Sequence, residues 1–487
     1  MSGSEALAGL DITPPPTLAV GKGTAFVIAG WCYHPGERTR GLSIQIGESR
    51  QRVELFRLPR RDVYEGLGED DPARPQAFRS GFAAVVDVSP VDRQRMLELA
   101  AVITLESGRE ASVPLASIAA APGLPTPPEA AGAGFPGPGG QRVAICMATY
   151  NPPAELLDRQ LDSIRRQTHH NWVCLISDDD SGPEGLERLM SAIDGDPRFV
   201  ISRGPKRLGF YGNFERAMSM VPASADFVTL CDQDDLWYPE KLARLLAATG
   251  DAQLAYSDAR VVNPAGEVIL PSYWTVRSTN YTNFGSLLLA NTITGAASLF
   301  RRSLLDDILP LPPRFGNGFH DHWLALVAMS HGRIEYVNAP LYDYVQHEGA
   351  VIGHTEANKP HRSLRTHLLD RLRNPGDGSR VAYYYKWHQH LLFDEILRLR
   401  CWEVMSRSKR RTLRRLLDAD SGTAGIAWLL GRRARRLWGR DETLDRELSY
   451  AYALIRRRGV SALTAGRQRP NRLLPRDASV PPAPPTY

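Results

Sequence analysis

From Val143 onward, short unbroken apolar runs alternate with stretches whose apolar residues recur every three or four positions. VAICMATY is followed by PAELLDRQLDSIRRQ, in which Leu156, Leu157, Leu161 and Ile164 fall on one helical face. WVCLIS, GLERLMSAI, FVISRG, GNFERAMSM, FVTLCD, PEKLARLLAAT and LAYSD continue the rhythm. Strand runs without internal alternation are buried on both faces, and strand–helix alternation predicts a mostly parallel sheet covered by helices. In such sheets ligands bind beyond the carboxyl ends of the strands, where this sequence places its acidic and small polar residues.

The pattern differs on either side. Residues 19–118 carry short runs (AFVIAGWCY, LSIQIG, VELFRL, FAAVVDV, AAVITLE) separated by turn formers, which predicts a small antiparallel β-sandwich. Residues 119–140, rich in Pro, Gly and Ala, read as a linker to an α/β domain at 141–360. Residues 361–475 show only helical periodicity, as in HQHLLFDEILRLRCWEVM and GIAWLLGRRARRLW. The Pro-rich end, 476–487, is expected to be disordered.

Composition narrows the classes. With 43% hydrophobic residues in 487, the chain has enough apolar material for a full core. Its five cysteines are scattered without CxxC spacing, so neither a zinc site nor a disulfide framework is expected, and Cys146, Cys174 and Cys231 read as core residues. The first residues lack a signal-peptide pattern. The longest apolar stretch, 285–300, is too short and too interrupted to span a bilayer, so a cytoplasmic location is expected. The net charge of +5 conceals an asymmetry: residues 361–487 hold 27 Lys+Arg against 12 Asp+Glu, and residues 1–360 hold 32 against 42. A basic tail on an acidic body suits an anionic surface. Arg432, Arg433, Arg435 and Arg436, interleaved with Leu429, Leu430, Leu437 and Trp438, would place it on a membrane, or else form the solvated face of a helical domain. Nucleic acid is not an expected partner, because no recognisable binding fold accompanies the charge.

Chemistry concentrates at the strand ends. Asp232, Asp234 and Asp235 crowd three carboxylates into four residues, which repel unless a cation sits among them; oxygen ligands favour Mg²⁺ or Mn²⁺. A solvated acidic turn before a helix would look the same in isolation. Thr149 and Asn151 close the first strand. Asp178 and Asp179 close the second, where a carboxylate can meet a ribose or base, or shape an Asx-type turn. Gly209 and Asn213 open the helix after the third strand, at an N-terminus suited to phosphate.

The order ATYN, SDDDS, LGFYGNFERA, CDQDDLWYPEKL, YSD, TGAASLFRRSLL, FHDHWLALVA and YVQHEGAVIGH, from Val143 to His354, resembles a family 2 inverting glycosyltransferase of the GT-A fold, on its rhamnosyltransferase-like branch. The resemblance implies that Asp178 or Asp179 binds base and ribose, and that Asp232 and Asp234 form the DxD pair, with Asp234 the direct metal ligand. Gly295 would lie near the sugar pocket, and Asp321 would be the general base. His347 would ligate the metal or bind diphosphate, or be structural. Asp321 also reads as a carboxylate at a helix N-terminus, which would lower its pKa, and His320 and His322 as base neighbours or surface histidines. The donor would be a nucleotide-sugar, with rhamnose suggested by the branch, and the acceptor a glycan or lipid-linked glycan. Glu348-Gly349-Ala350 departs from the family's Asn-containing string. No QxxRW follows, which implies addition of one or a few sugars. A binding protein that retained the fold, and a nucleotidyltransferase, are the rival readings.

Overall fold

The computed structural model describes residues 5–347 and 387–464, apart from 54, 130–133, 138, 275–278, 280, 317, 439–441 and 444. The N-terminal strands are β1 (Leu7–Ile12), β2 (Thr17–Ala19), β3 (Thr24–Tyr33), β4 (Thr39–Ile46), β5 (Ser49–Arg52), β6 (Leu55–Leu58), β7 (Gly81–Val88), β8 (Arg95–Leu105) and β9 (Glu110–Ala121). Short helices α1 (Arg61–Glu65) and α2 (Arg74–Ala77) interrupt β6 and β7. They form a four-stranded sheet, β1-β3-β7-β6, and a five-stranded sheet, β2-β9-β8-β4-β5. Phe26, Ile28 and Val86 of the first meet Ile44, Leu99 and Ile103 of the second in one core. All pairings are antiparallel except β2 with β9. The first strand thus lies before residue 19, and the last runs past 118 to Ala121.

The segment after β9 is held rather than free. Pro122 O accepts from Gly21 N, Glu129 accepts from Ser202 Oγ at 2.7 Å, and Phe135 packs on the main core.

The second region comprises β10 (Val143–Thr149), α3 (Ala154–Arg165), β11 (Trp172–Asp178), α4 (Pro183–Ile193), β12 (Phe199–Arg203), α5 (Gly209–Ser219), β13 (Phe227–Asp232), β14 (Leu236–Trp237), α6 (Lys241–Thr249), β15 (Leu254–Val262) and β16 (Val268–Leu270). It continues with α7 (Phe284–Leu289), β17 (Ser298–Arg301), α8 (Leu305–Ile308), α9 (His320–His331) and β18 (Ile334–Val345). The nine-stranded sheet runs β12-β11-β10-β13-β17-β15-β18-β14, with β16 on β15. β10 to β13 are mutually parallel and β18 is parallel to β15, while β17 is antiparallel to both of its neighbours. This is the α/β arrangement expected from the alternation, and it fits the GT-A fold that the resemblance implied. The central strands β10, β11, β13 and β15 are almost entirely buried, Cys146, Cys174 and Cys231 included, as unbroken apolar runs require, whereas β12, β16 and β18 are partly exposed.

The third region packs α10 (His388–Cys401), α11 (Arg407–Leu417), α12 (Thr423–Arg432) and α13 (Arg446–Thr464) against the other two. Arg400 of α10 is buried and donates to Gly23 O of the β-domain and to Pro310 O of the α/β domain, each at 2.7 Å. Lys22 of the β-domain bonds Asp307 of α8, which also meets His331. Burial alone would raise the Asp307 carboxyl, but those two partners hold it below its usual range. The three regions therefore share one core, which also takes in Val27 and Leu55 from the outer face of the β-domain. No helix among the described residues is long and apolar enough to cross a membrane. The tail's expected end, 476–487, and His354 lie outside the described residues.

Candidate active site

Register builds the site. Thr149 stands opposite Asp178, and Ala148 opposite Asp232, so the ends of β10, β11 and β13 align on one edge of the sheet. Beyond them the chain must turn sharply, and Asn151 does so in the left-handed region at φ 40°. Its Oδ1 accepts from Gly182 N at 3.0 Å, and its own N–H reaches Ser181 Oγ at 2.8 Å.

The first two strand ends are knit into the backbone. Asp178 is fully buried and accepts from Ser181 N at 3.0 Å, Ser181 Oγ at 2.5 Å and Thr149 Oγ1 at 3.3 Å. That is the Asx-type turn. Asp179, also buried, accepts from Leu208 N at 2.6 Å and Gly209 N at 2.8 Å, one bond to each oxygen. It caps α5 across the sheet edge, satisfying amides that the first turn of a helix leaves open. Gly209 takes φ +74° with open space where a Cβ would stand, so backbone conformation alone favours glycine there. Asn213 donates to Thr149 O at 3.1 Å, while its Oδ1 is buried without a partner. The two aspartates expected to face a nucleotide thus spend bonds inside the protein.

The end of β13 is organised differently. Gln233 Oε1 accepts from Tyr150 N at 2.8 Å, which locks the acidic turn to the first loop. No donor among the described residues reaches the Asp232 carboxylate; burial, then Asp234 and Asp321, push its carboxyl up to about 7. Asp234 meets His347 Nε2 at 2.8 Å. Asp235 is buried and accepts from Val345 N at 3.4 Å; burial and its acidic neighbours raise it further. Behind them Lys241 is fully buried, donating to Ala296 O at 2.6 Å with its ammonium 3.5 Å from the centre of the Trp237 ring. Burial depresses this amine, against the attraction of Asp235 and Asp232. Asp235 was one of the three crowded carboxylates of the sequence, but Lys241 did not stand out there, falling within the helical run PEKLARLLAAT.

Asp321 opens α9, where a helix dipole would lower its pKa. The structure reverses that expectation. Burial pushes its carboxyl up to about 7, although His322 N donates to it at 2.6 Å and Asn291 bonds it as well. Desolvation of the charged form outweighs a dipole worth about 1 kcal/mol. Gly295 makes room beside it: a Cβ there would come within 3.1 Å of Leu230 Cδ1, 3.2 Å of His320 Nε2 and 3.7 Å of Asp321 Cβ. His320 and His322 are not surface histidines, because both are buried. His320 packs against Phe214 with ring centres 4.4 Å apart, and burial lowers its pKa to about 4, so the ring is neutral. His322 Nε2 lies 2.6 Å from Leu287 O, which ties α9 to α7.

The donor set suits a hard divalent cation. Asp232 and Asp234 offer half-exposed carboxylate oxygens, and His347 adds an imidazole. They do not close a cage. Among the described residues the trio whose ligand atoms all lie within 4.8 Å is Asp307, His331 and Cys401, with Lys22 already on Asp307. An open pair that leaves coordination to substrate oxygens is the usual arrangement for Mg²⁺-type sites. The string 348–350 lies outside the described residues.

Residues 144–309 match the sequence model of "Glycosyl transferase family 2". Protein CgeD of Bacillus subtilis (strain 168) is 28% identical over 200 residues, 38% of this chain and 44% of its own. The Escherichia coli UDP-Glc:alpha-D-GlcNAc-diphosphoundecaprenol beta-1,3-glucosyltransferase WfgD is 25% identical over 123 residues, 25% of this chain and 47% of its own. This chain therefore spans less than half the length of either relative. Among solved structures, S. aureus TarS 1-349 in complex with UDP-GlcNAc aligns over 66% of this chain and 92% of its own, at 15% identity and a TM-score of 0.36. The matched segment contains the strand ends from Thr149 to Asp232 and the Gly295 turn, and the α/β region that holds it is a family 2 glycosyltransferase domain of the GT-A fold.

Proposed function

We propose that the protein is a metal-dependent inverting glycosyltransferase that moves a sugar from a nucleotide-sugar to a glycan or lipid-linked glycan acceptor. The observation that carries the reading is Asp321: a half-buried carboxyl, lifted by desolvation to about 7 and close enough to the Asp232 carboxylate to raise it. A group with that pKa takes a proton from an acceptor hydroxyl efficiently at physiological pH. As base it would take the proton of an acceptor hydroxyl attacking from the face away from the leaving diphosphate, and such attack inverts the anomeric carbon.

Asp234, with His347 bonded to it, and Asp232 would hold Mg²⁺ or Mn²⁺, which when bound neutralises the diphosphate leaving group. The Leu208 and Gly209 N–H groups at the start of α5 are already taken by Asp179, so the diphosphate would rest on the metal rather than on that helix end. Asp178, Asp179, Thr149, Asn151 and Asn213 shape the nucleotide end, through the loops they fix and through the free Asn213 Oδ1. Gly295 keeps the sugar pocket open next to the base. The donor proposed first is dTDP-rhamnose. UDP-glucose, which the WfgD relative's name contains, is the second. A diphosphate-lipid acceptor, also printed in that name, motivates the lipid-linked alternative.

The test is release of nucleoside diphosphate from a panel of nucleotide-sugars with Mn²⁺. Wild type would be compared with Asp321→Asn and Asp234→Ala. Equal rates in all three would remove Asp321 and Asp234 from the reaction, and no turnover of any donor by wild type would favour a binding protein.

A further inference from the structure

The tail's arginines divide into two sets. Arg432 of α12 donates to Ser286 Oγ at 2.7 Å and Asn283 Oδ1 at 3.1 Å under α7. Arg433 is paired with Asp445 at 3.2 Å, and Arg435 with Glu442 at 3.0 Å. These side chains, expected from the sequence either to lie on a membrane or to form the solvated face of a helical domain, are instead used inside the fold.

On α11 the opposite holds. Leu413 and Leu416 are buried, and Lys409 is anchored to Met329 O and to Gly332 O at the end of α9. On the reverse side Arg407, Arg411, Arg414 and Arg415 are exposed, at the i, i+4, i+7, i+8 spacing of a single stripe. Arg414 lies 5.2 Å from the centre of the Trp402 ring. Arg407, Arg411 and Arg415 have no hydrogen-bond or ion-pair partner among the described residues. Val404, in the turn leading into α11, is 49% exposed.

We propose that this stripe docks the protein on an anionic lipid bilayer. A helix lying in the headgroup plane needs cations that reach phosphates, with apolar or aromatic side chains at the edge of the basic face. Trp402 and Val404 supply those. A nucleic-acid groove would be served by the same arginines but gains nothing from an exposed valine. The position also has a consequence. The inner side of α11 packs on α7, with Thr412 Cγ2 only 3.3 Å from where a Cβ on Gly285 would stand. α7 in turn accepts from His322, the neighbour of Asp321. Two helix diameters, ~20 Å, separate the stripe from the base side of the cleft, within reach of a sugar carried on a membrane lipid. The docking itself does not depend on the transferase reading.

The experiment is co-sedimentation of the full chain, without donor, with phosphatidylcholine vesicles containing or lacking phosphatidylglycerol, at low and high salt. Wild type is expected on the anionic vesicles only, and less so at high salt. Arg407→Gln/Arg411→Gln/Arg415→Gln should weaken binding ~5-fold per arginine, on the order of 100-fold in all, with an unchanged melting temperature. Arg433→Gln should leave vesicle binding intact. Equal sedimentation with neutral vesicles, or undiminished binding by the triple variant, would overturn the proposal. So would displacement of wild type from the vesicles by duplex DNA at equal salt, which would make the stripe a nucleic-acid surface. Donor hydrolysis by the triple variant at the wild-type rate separates this result from any failure of the active site.

Discussion

Two groups of aspartates stand on the same edge of one sheet and have opposite fates. At the end of β11, Asp178 and Asp179 receive N–H and O–H donors at hydrogen-bond distance from Ser181, Thr149, Leu208 and Gly209. At the end of β13 the Asp232 carboxylate receives no hydrogen bond among the described residues, and at the start of α9 Asp321 keeps only His322 N and Asn291; desolvation outweighs these and lifts both carboxyls to about 7. A donor-rich surrounding stabilises the charged form, and a donor-poor one leaves the desolvation cost exposed. The first group is building material for the loops. The second stores free energy that a cation, a diphosphate or a transferred proton can release, which is the property a reactive site requires.

The largest test of this contrast is Asp321→Asn. It should cut transfer by about 10²–10⁴-fold, read from initial rates at saturating donor. It should also raise the melting temperature, since the neutral amide escapes the burial cost while still accepting from His322 N. Loss of both activity and stability would mean that Asp321 belongs with the structural group.

Asp179→Ala should behave in the reverse sense. It leaves the Leu208 and Gly209 amides without their acceptor and should cost about 1–3 kcal/mol in denaturant unfolding. His347→Ala should weaken Mn²⁺ affinity about 10–100-fold in a calorimetric titration, with little change in melting temperature. Unchanged affinity would leave His347 a structural partner of Asp234.

The pH dependence sharpens the same difference. Because the folded-state pKa of Asp321 is raised from 3.8 to about 7, the base is protonated below that value, and kcat/KM should fall as pH drops through it. For stability the sign runs the other way. The folded chain holds this proton more tightly than the unfolded one, so Asp321's stabilising share is full below about 4 and is lost as pH rises towards about 7. Comparing unfolding of wild type and Asp321→Asn across that window isolates the effect. The smallest effect belongs to Gly209→Ala, about 1 kcal/mol from φ +74° alone, because nothing lies within 4 Å of the added methyl.

Much of this was legible in the chain. The unbroken apolar runs located β10, β11, β12, β13 and β15, because a strand buried on both faces has no polar alternation to disguise it. β9 was missed at its far end: its alanine-rich EASVPLASIAAA alternates exposed with half-buried positions and runs into a Pro-Gly segment read as linker. That segment is itself pinned by Gly21 and Ser202. Within the site, spacing marked Asp232 and Asp234. Lys241, Gln233 and Asn291 carried no such mark, since their importance lies in contacts with residues about 30 to 80 positions away.

The sequence by itself determined the order of elements, the edge of the sheet that carries the chemistry and the identity of its carboxylates, because periodicity and strand-end position are local properties. Only the tertiary structure decided which aspartates are saturated and which are left costly. It likewise decided that Arg432, Arg433 and Arg435 turn inward while the arginines of α11 face solvent. The physical reason is the same in both cases. The free energy of a charge depends on the donors, countercharges and water around it, and those are assembled from distant parts of the chain.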